Sequence, residues 1–214
     1  MKKLRIVSMV ALSLAFTGNV LAAKFEVEIT NLTKSTLLTP VMVAAQERKV
    51  NLFQLGHPAS EAISAVAEGG DTSALAAMFD ESAQIVSTSG LLGPGETTRV
   101  TFEDLNKHSK ISLASMLLPT NDGFVVAESL PISHAKAGRT FFLKAYDAGT
   151  ETNDELCASI PGPQCGGEAF SPNDSGEGYV YIHSGVHGVG DLSASMYTWN
   201  NPVVKVTIKR VKED

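Results

Sequence analysis

Short segments that alternate apolar and polar residues recur along most of this chain, with turn residues between them. The clearest are residues 24–30, KFEVEIT, and residues 203–210, VVKVTIKR. A period of two residues is the pattern of a half-buried β-strand. Because such segments are separated by turn signals such as Gly93-Pro94-Gly95, the pattern predicts an all-β fold, an antiparallel β-sandwich. The similar character of the first and last segments predicts that the two chain ends lie close together.

One region departs from this pattern and is rich in alanine. Residues 60–79 carry helix-capping residues at Ser60 and Asp71 and a break at Gly69-Gly70, which predicts a short α-helical insert of two helices. Further strands are predicted over residues 39–45, 84–87, 97–102, 111–118, 124–127, 140–146 and 179–183.

The first 22 residues have the pattern of a signal peptide. Lys2, Lys3 and Arg5 precede an apolar run at residues 6–16, and small residues lead to a predicted cleavage site after Ala22. We therefore expect a secreted or periplasmic protein in which residues 23–214 form one domain. No later stretch is long and apolar enough to predict a transmembrane segment.

The composition of residues 23–214 limits the possible partners and suggests one cross-link. These residues carry 14 Lys and Arg against 23 Asp and Glu, a net charge of −9, which makes nucleic acid a poor partner. Cys157 and Cys165 are the only cysteines, and in an oxidising compartment they predict a disulfide across a loop rich in proline and glycine.

A strand-like run at residues 143–146 is followed by four acidic residues, Asp147, Glu151, Asp154 and Glu155. Such a cluster could hold a metal ion, take part in catalysis, or simply keep a loop in water. The residue types alone leave these alternatives open.

Several stretches together resemble the spondin N-terminal domain family, which occurs in extracellular animal proteins and exported bacterial proteins. FEVEITNLT resembles an opening strand of that family, and residues 51–75 resemble its helical insert. SMLLPTNDGFVVAESL occupies the place of a Ser-Met-Ile-x-Pro-Ser-Pro-Asp-Trp-Phe-Val-Gly motif, and YDAGTE matches a Tyr/Trp-Asp-Ala-Gly-Thr-Asp/Glu motif. The resemblance extends from Phe25 to about Arg210.

The resemblance implies a sandwich similar to a C2 domain, with calcium bound among loops at one end. It implies Asp122, Asp147 and Glu103 as ligands. The family tryptophan is replaced here by Gly123, so the packing under that loop must differ. Acids at three strand ends can converge on one edge, and calcium binds hard oxygens of this kind. We add Glu151 as a fourth ligand or supporting group, and expect Asp154 and Glu155 to be solvated.

Two other readings of the chain remain. His183, His187 and Asp191 are spaced by four residues, as metal ligands on a helix would be, but the glycines between them favour a loop at the rim of the sandwich.

We expect a non-catalytic recognition or adhesion module whose envelope or extracellular ligand is a protein, a glycan or a lipid head group. The alternative is a metal-dependent hydrolase of the cell envelope.

Overall fold

A computed structural model describes residues 23–133, 135–172 and 175–211. The predicted signal peptide lies outside these residues. The elements in chain order are β1 (Ala23–Asn31), β2 (Leu37–Leu38), β3 (Met42–Gln46), α1 (Glu61–Gly69), α2 (Ser73–Ala76), β4 (Gln84–Ser87), β5 (Thr97–Leu105), β6 (Lys110–Leu118), β7 (Gly123–Pro131), β8 (Arg139–Leu143), β9 (Ala145–Asp147), β10 (Tyr181–Ile182), α3 (Ala194–Tyr197) and β11 (Val204–Arg210).

The strands form two antiparallel sheets packed face to face, which confirms the predicted sandwich. The smaller sheet has the order β5-β1-β11-β8. The larger sheet has the order β10-β9-β7-β6-β3-β4, and β2 pairs with β6 beside it. Residues alternate between buried and half-buried along β1, and Val27 and Ile29 are fully buried between the sheets. The first and last strands are neighbours, paired from Phe25 opposite Arg210 to Asn31 opposite Val204.

The larger sheet is covered on both faces. Its inner face packs on the smaller sheet, while the side chains of Met42, Phe124 and Val126 on its outer face pack against the helical insert. The two predicted helices are present there. The Ser60 hydroxyl caps α1 by accepting a hydrogen bond from the Ile63 amide at 3.3 Å, and Gly70 ends that helix with a left-handed φ of 69°.

The predicted strand over residues 140–146 is in fact two strands in different sheets. β8 pairs with β11 in the smaller sheet, whereas β9 pairs with β7 and β10 in the larger one. At the crossing, the Ala145 amide donates to the Asn201 side chain at 2.7 Å. An alternating pattern predicts strand conformation but does not reveal which sheet a strand joins, so the change of sheet was not predictable from it.

The hairpin of β6 and β7 gives the sandwich two distinct ends. We call the end that carries its turn, residues 119–122, the turn end. The opposite end, where Lys110 lies across from Pro131, is the open end. Two β-bulges lie toward the open end, one in β5 and one in β7, and they contain Asp104 and Ser129 with φ of 56° and 53°.

Two further features concern the covalent structure and the environment. Cys157 and Cys165 form the predicted disulfide. No helix within the described residues has the length and apolar character needed to cross a membrane.

Candidate functional site

Asp122 and Asp147 lie side by side at the turn end. Asp122 is the last residue of the turn between β6 and β7, and Asp147 is the last residue of β9, opposite Gly123. The Ala148 amide donates to the Asp122 carbonyl at 3.1 Å and so joins the two segments. Both aspartates are 0% exposed to solvent. The fold therefore brings together two of the predicted ligands, and it buries them.

The chain that follows Asp147 wraps around the Asp122 carboxylate. Asp122 Oδ2 accepts hydrogen bonds from the Thr150 amide at 2.8 Å, the Thr150 hydroxyl at 3.2 Å and the Glu151 amide at 3.1 Å. The other oxygen, Oδ1, is buried and has no hydrogen-bond partner among the described residues. A buried oxygen without a partner costs free energy, so Oδ1 marks a position where a cation or donor would be stabilising.

Asp147 is held from several directions. Its Oδ1 accepts from the Gly149 amide at 2.8 Å, and its Oδ2 accepts from Asn153 Nδ2 at 2.9 Å. The same amide nitrogen lies 2.9 Å from the Tyr181 hydroxyl oxygen. His183 Nε2 is 3.8 Å from Asp147 Oδ2, too far for a hydrogen bond. Tyr181 and His183 had no sequence signal linking them to Asp147, because their proximity comes from the pairing of β9 with β10. Asn153 reaches Asp147 from the loop that follows β9.

Burial opposes the charge of these carboxyl groups. Desolvation, with the charge of Asp147 adding to it, raises the pKa of Asp122 from 3.8 to about 7. Desolvation likewise raises the pKa of Asp147 to about 6, against the opposing effect of its hydrogen bonds. Two neighbouring buried carboxylates are costly without a cation, and a divalent ion would offset that cost.

Glu151 lies beside this pair and is 2% exposed. Its amide donates to Asp122, but its carboxylate turns toward another loop, where Oε1 accepts from the Ser171 amide at 2.9 Å. Its Oε2 is buried and has no partner among the described residues. Desolvation raises the pKa of Glu151 to about 7. Its role as a ligand or supporting group stays a prediction.

Glu103 does not join the group, so the expectation that it binds the same ion is wrong. β5 begins near the Asn31 end of β1 and runs antiparallel to it, so Glu103 lies toward the open end. Its side chain is 70% exposed and pairs with Lys24 at 3.1 Å. The predicted strand, residues 97–102, ends three residues too early, because β5 continues to Leu105. The direction of β5 places Glu103 at the opposite end of the sandwich.

The donors at the turn end suit a hard cation only in part. No three His, Cys, Asp or Glu side chains within residues 23–133, 135–172 and 175–211 form a group that could hold a metal ion. Carboxylate oxygens are ligands that calcium prefers, but it takes six to eight of them, so carbonyls and waters would have to complete the shell. The Gly149 carbonyl, two residues after Asp147, already accepts from the Gly178 amide at 2.8 Å.

His183, His187 and Asp191 do not form the alternative metal site. Residues 183–191 form a loop, as the glycines predict. His183 is buried beside Trp199, with ring centroids 4.9 Å apart, and its Nδ1 accepts from the Gly185 amide at 3.0 Å. His187 is exposed, with Nε2 3.0 Å from the Ser184 hydroxyl, while Asp191 accepts from the Cys157 amide at 2.9 Å. The three side chains serve separate contacts.

Gly123 explains how His183 fits under the turn. A Cβ atom at position 123 would lie 2.6 Å from the Thr120 hydroxyl oxygen and 3.1 Å from the His183 ring. The packing therefore differs as expected: Thr120 and His183 occupy the space into which a larger residue at position 123 would project. The glycine itself was the only sequence signal for this contact.

The expectation that Asp154 and Glu155 are merely solvated is wrong. Glu155 is 6% exposed, and its carboxylate accepts from the amides of His187, Gly188 and Val189 at 2.5 to 3.0 Å. Asp154 Oδ1 accepts from the Asn121 side chain at 3.0 Å. Consecutive amides in a glycine-rich loop form an anion-binding concavity, and here the protein fills it with its own carboxylate.

Comparison with protein-family models identifies the family of this chain. A family model described as Spondin_N matches residues 13–158. The matched span includes Asp122, Asp147 and Glu151 but ends before Ser171 and the histidine loop. No curated protein matches this chain.

Proposed function

The chain belongs to the spondin N-terminal domain family, whose domains are generally non-catalytic modules of extracellular type, and we propose that it is an exported recognition or adhesion module that binds one calcium ion at the turn end. The observation that carries this proposal is the buried pair of Asp122 and Asp147, with Asp122 Oδ1 lacking a partner. Export is supported by the family and by the Cys157–Cys165 disulfide, since disulfides persist in oxidising compartments.

Each residue at the turn end would have a separate task in holding the ion. Asp122 and Asp147 would supply charged oxygens, while the amides of Thr150 and Glu151 fix the Asp122 carboxylate and Asn153 fixes that of Asp147. Glu151 would be a fourth ligand or a supporting group, since its Oε2 is buried without a partner among the described residues. Calcium supplies positive charge that stabilises the ionised forms of these acids, and neutral oxygens would complete its shell.

The proposed consequence of binding is rigidity at the turn end. Asp122 lies in the turn before β7, and Asp147 begins the long connection that leads to β10. An ion shared between them would hold these two segments in one arrangement and could bridge to an anionic group on a partner, such as a glycan or a lipid head group. This last step is an analogy with other loop-edge calcium sites and identifies no partner.

The alternative of a metal-dependent hydrolase has no observation in its favour. Such an enzyme would use either the same carboxylates or the loop of His183 and His187, and the two histidines serve separate contacts. The buried acids at the turn end are held by hydrogen bonds within their own loops.

Calorimetric titration with calcium and thermal unfolding test the proposal. At a calcium concentration a hundredfold above Kd, binding should stabilise the wild type by about 2.7 kcal/mol. We expect Asp122→Asn and Asp147→Asn to lose both the heat of binding and the rise in Tm. Glu103→Gln is the matched control and should retain both, because Glu103 pairs with Lys24 on a surface far from the turn.

Two results would contradict the proposal. The first is a wild-type protein whose Tm is unchanged by calcium at any concentration tested. The second is a Glu103→Gln variant that loses calcium binding as fully as Asp122→Asn, because that would move the site away from the turn end.

A further inference from the structure

A polar cavity of about 320 Å³ lies at the open end, far from the carboxylate pair. It is bounded by the end of β3, the connection from α2 to β4, the bulge of β5 and the turn from β5 to β6. Pockets of roughly 300–1,000 Å³ are the usual size of small-molecule sites. Its polar side chains include Gln46, Arg48, Asp80, Gln84, Asp104 and Asn106.

The amide of Gln46 is the feature of this cavity that points to a ligand. Gln46 is only 7% exposed, and its Nε2 atom has no hydrogen-bond partner among the described residues. Burying an amide without a partner is unfavourable, and native proteins rarely do so without a reason. The Nε2 atom is sealed from solvent in this arrangement, so the Gln46 side chain would turn into the cavity to donate to a ligand, and that hydrogen bond would remove the cost.

The β-bulge in β5 brings an acid to the same cavity. Two steps along β1, from Ala23 to Phe25, lie opposite three steps along β5, from Leu105 to Phe102. The extra residue, Asp104, adopts a left-handed φ of 56°. Bulges often redirect a side chain at the edge of a sheet, and Asp104 here lines the cavity and supplies a hydrogen-bond acceptor.

The other charged groups of the cavity are already paired, which limits the ligand chemistry. Arg48 lies 3.2 Å from Asp80, and the Asn106 side chain donates to Glu47. With three acids and one arginine in the lining, the cavity disfavours an anion. A simple cation would leave the Gln46 amide without an acceptor. The ligand should therefore be neutral and should both donate and accept hydrogen bonds.

We propose that the open-end cavity binds a sugar residue of a glycan, with vicinal hydroxyl groups that accept from the Gln46 amide and donate to Asp104. Hydroxyls combine a donor and acceptors in one group, which matches a lining of amides, carboxylates and hydroxyls. This site is separate from the proposed calcium site and does not depend on it.

NMR titration of the full protein with methyl glycosides of glucose, galactose, mannose and N-acetylglucosamine tests this proposal. We expect saturable shifts of the Gln46 side-chain amide and of the backbone amides of residues 104–109, unchanged by a calcium chelator. A single sugar residue should bind with a Kd of about 1 mM or weaker.

Three variants make the test specific. Gln46→Leu should weaken binding about fivefold to tenfold through the lost hydrogen bond, while the fold is retained because an unpaired buried amide is removed. Ser82→Trp places a large group at the exposed rim of the cavity and should block binding. Gln54→Leu is the matched control, since Gln54 is exposed and lies outside the cavity, and it should bind like the wild type.

The proposal is overturned if none of the four glycosides shifts the Gln46 amide saturably. It is also overturned if acetate or tetramethylammonium produces the shifts and the glycosides do not. Equal affinity for glycosides in the wild type and Ser82→Trp would likewise contradict it. Each of these results is independent of calcium binding by Asp122 and Asp147, so the two proposals can fail separately.

Discussion

The two ends of this sandwich use the same acidic residue types in opposite ways. At the turn end, Asp122, Asp147 and Glu155 are buried, and backbone amides hold their carboxylates. At the open end, Glu103 stays in water and pairs with a lysine. The number of acids therefore says little about a site. What distinguishes the turn end is that its chain withdraws carboxylates from solvent and supplies amides to meet them.

The largest effect that separates the two ends should come from Glu155→Ala. This change removes the charged acceptor of three part-buried amides in the loop that begins after His183. We expect a loss of about 3–5 kcal/mol in the free energy of unfolding, measured by urea denaturation. Glu155→Gln should recover part of that loss, because one amide oxygen still accepts. A loss below about 1 kcal/mol would mean that Glu155 is no more important than a surface acid.

The buried acids also predict an unusual dependence of stability on pH in the metal-free protein. Asp122 binds its proton more tightly folded, with a pKa of about 7, than unfolded. Folding is therefore favoured most below pH 4, and this contribution is lost as pH rises to 7. His183 acts in the other direction, because burial lowers its pKa to about 4, so its contribution is lost as pH falls from 6.5.

Both the wild type and Asp122→Asn contain His183, so its contribution cancels when their free energies of unfolding are compared at the same pH. We expect the wild type to lose roughly 3 kcal/mol relative to the variant between pH 4 and pH 8, measured by urea unfolding with a chelator present. Saturating calcium should abolish this pH-dependent loss of stability, because it keeps Asp122 ionised in the folded protein. A wild type that gains stability relative to Asp122→Asn over that range would show that the carboxylate is already compensated without metal.

A smaller effect is expected at Gly149, where the backbone lies close to that of Tyr179 at the turn end. A Cβ atom at Gly149 would lie 2.3 Å from the Tyr179 carbonyl oxygen, and Gly149 also has a φ of 66°. Gly95 has a similar φ of 73° but no atom within 4 Å of such a Cβ. We expect Gly149→Ala to cost about 2–3 kcal/mol, against about 1 kcal/mol for Gly95→Ala, by thermal unfolding. Equal costs would show that the backbone conformation, and not the contact, sets the penalty.

The smallest effect is expected at the open end. Lys24 and Glu103 form an exposed pair, so Glu103→Gln should change the free energy of unfolding by less than about 1 kcal/mol. That small difference should shrink further in 1 M salt, because salt screens exposed charges. A loss as large as that of Glu155→Ala would remove the contrast between the two ends.

Much of the fold was predictable from local patterns, because each pattern reports a local property. The strand at residues 84–87 and the two helices of the insert were predicted from local patterns. Ser60 caps the first helix as expected, whereas the N-cap of the second is Thr72 and not Asp71. The split of residues 140–146 between two sheets did not, because it depends on which strands lie beside Leu143 and Ala145.

The candidate site was predictable only where a motif carried it. Asp122 and Asp147 were identified from two family motifs, and the fold brings them together. Glu103 was misplaced because its strand direction is a property of the whole sheet. Glu155 was misjudged because its burial depends on a loop more than thirty residues further along the chain.

The pairing of β1 with β11 has a mechanical consequence. The two strands are antiparallel neighbours, and their outer ends, near Lys24 and Val211, lie at the same end of the molecule. Tension applied through these two strands would load their hydrogen bonds one after another, like a zipper, instead of all at once in shear. Separation of the strands would begin at the open end, and the region of the carboxylates beside the turn would be the last part of the sandwich to bear the applied force.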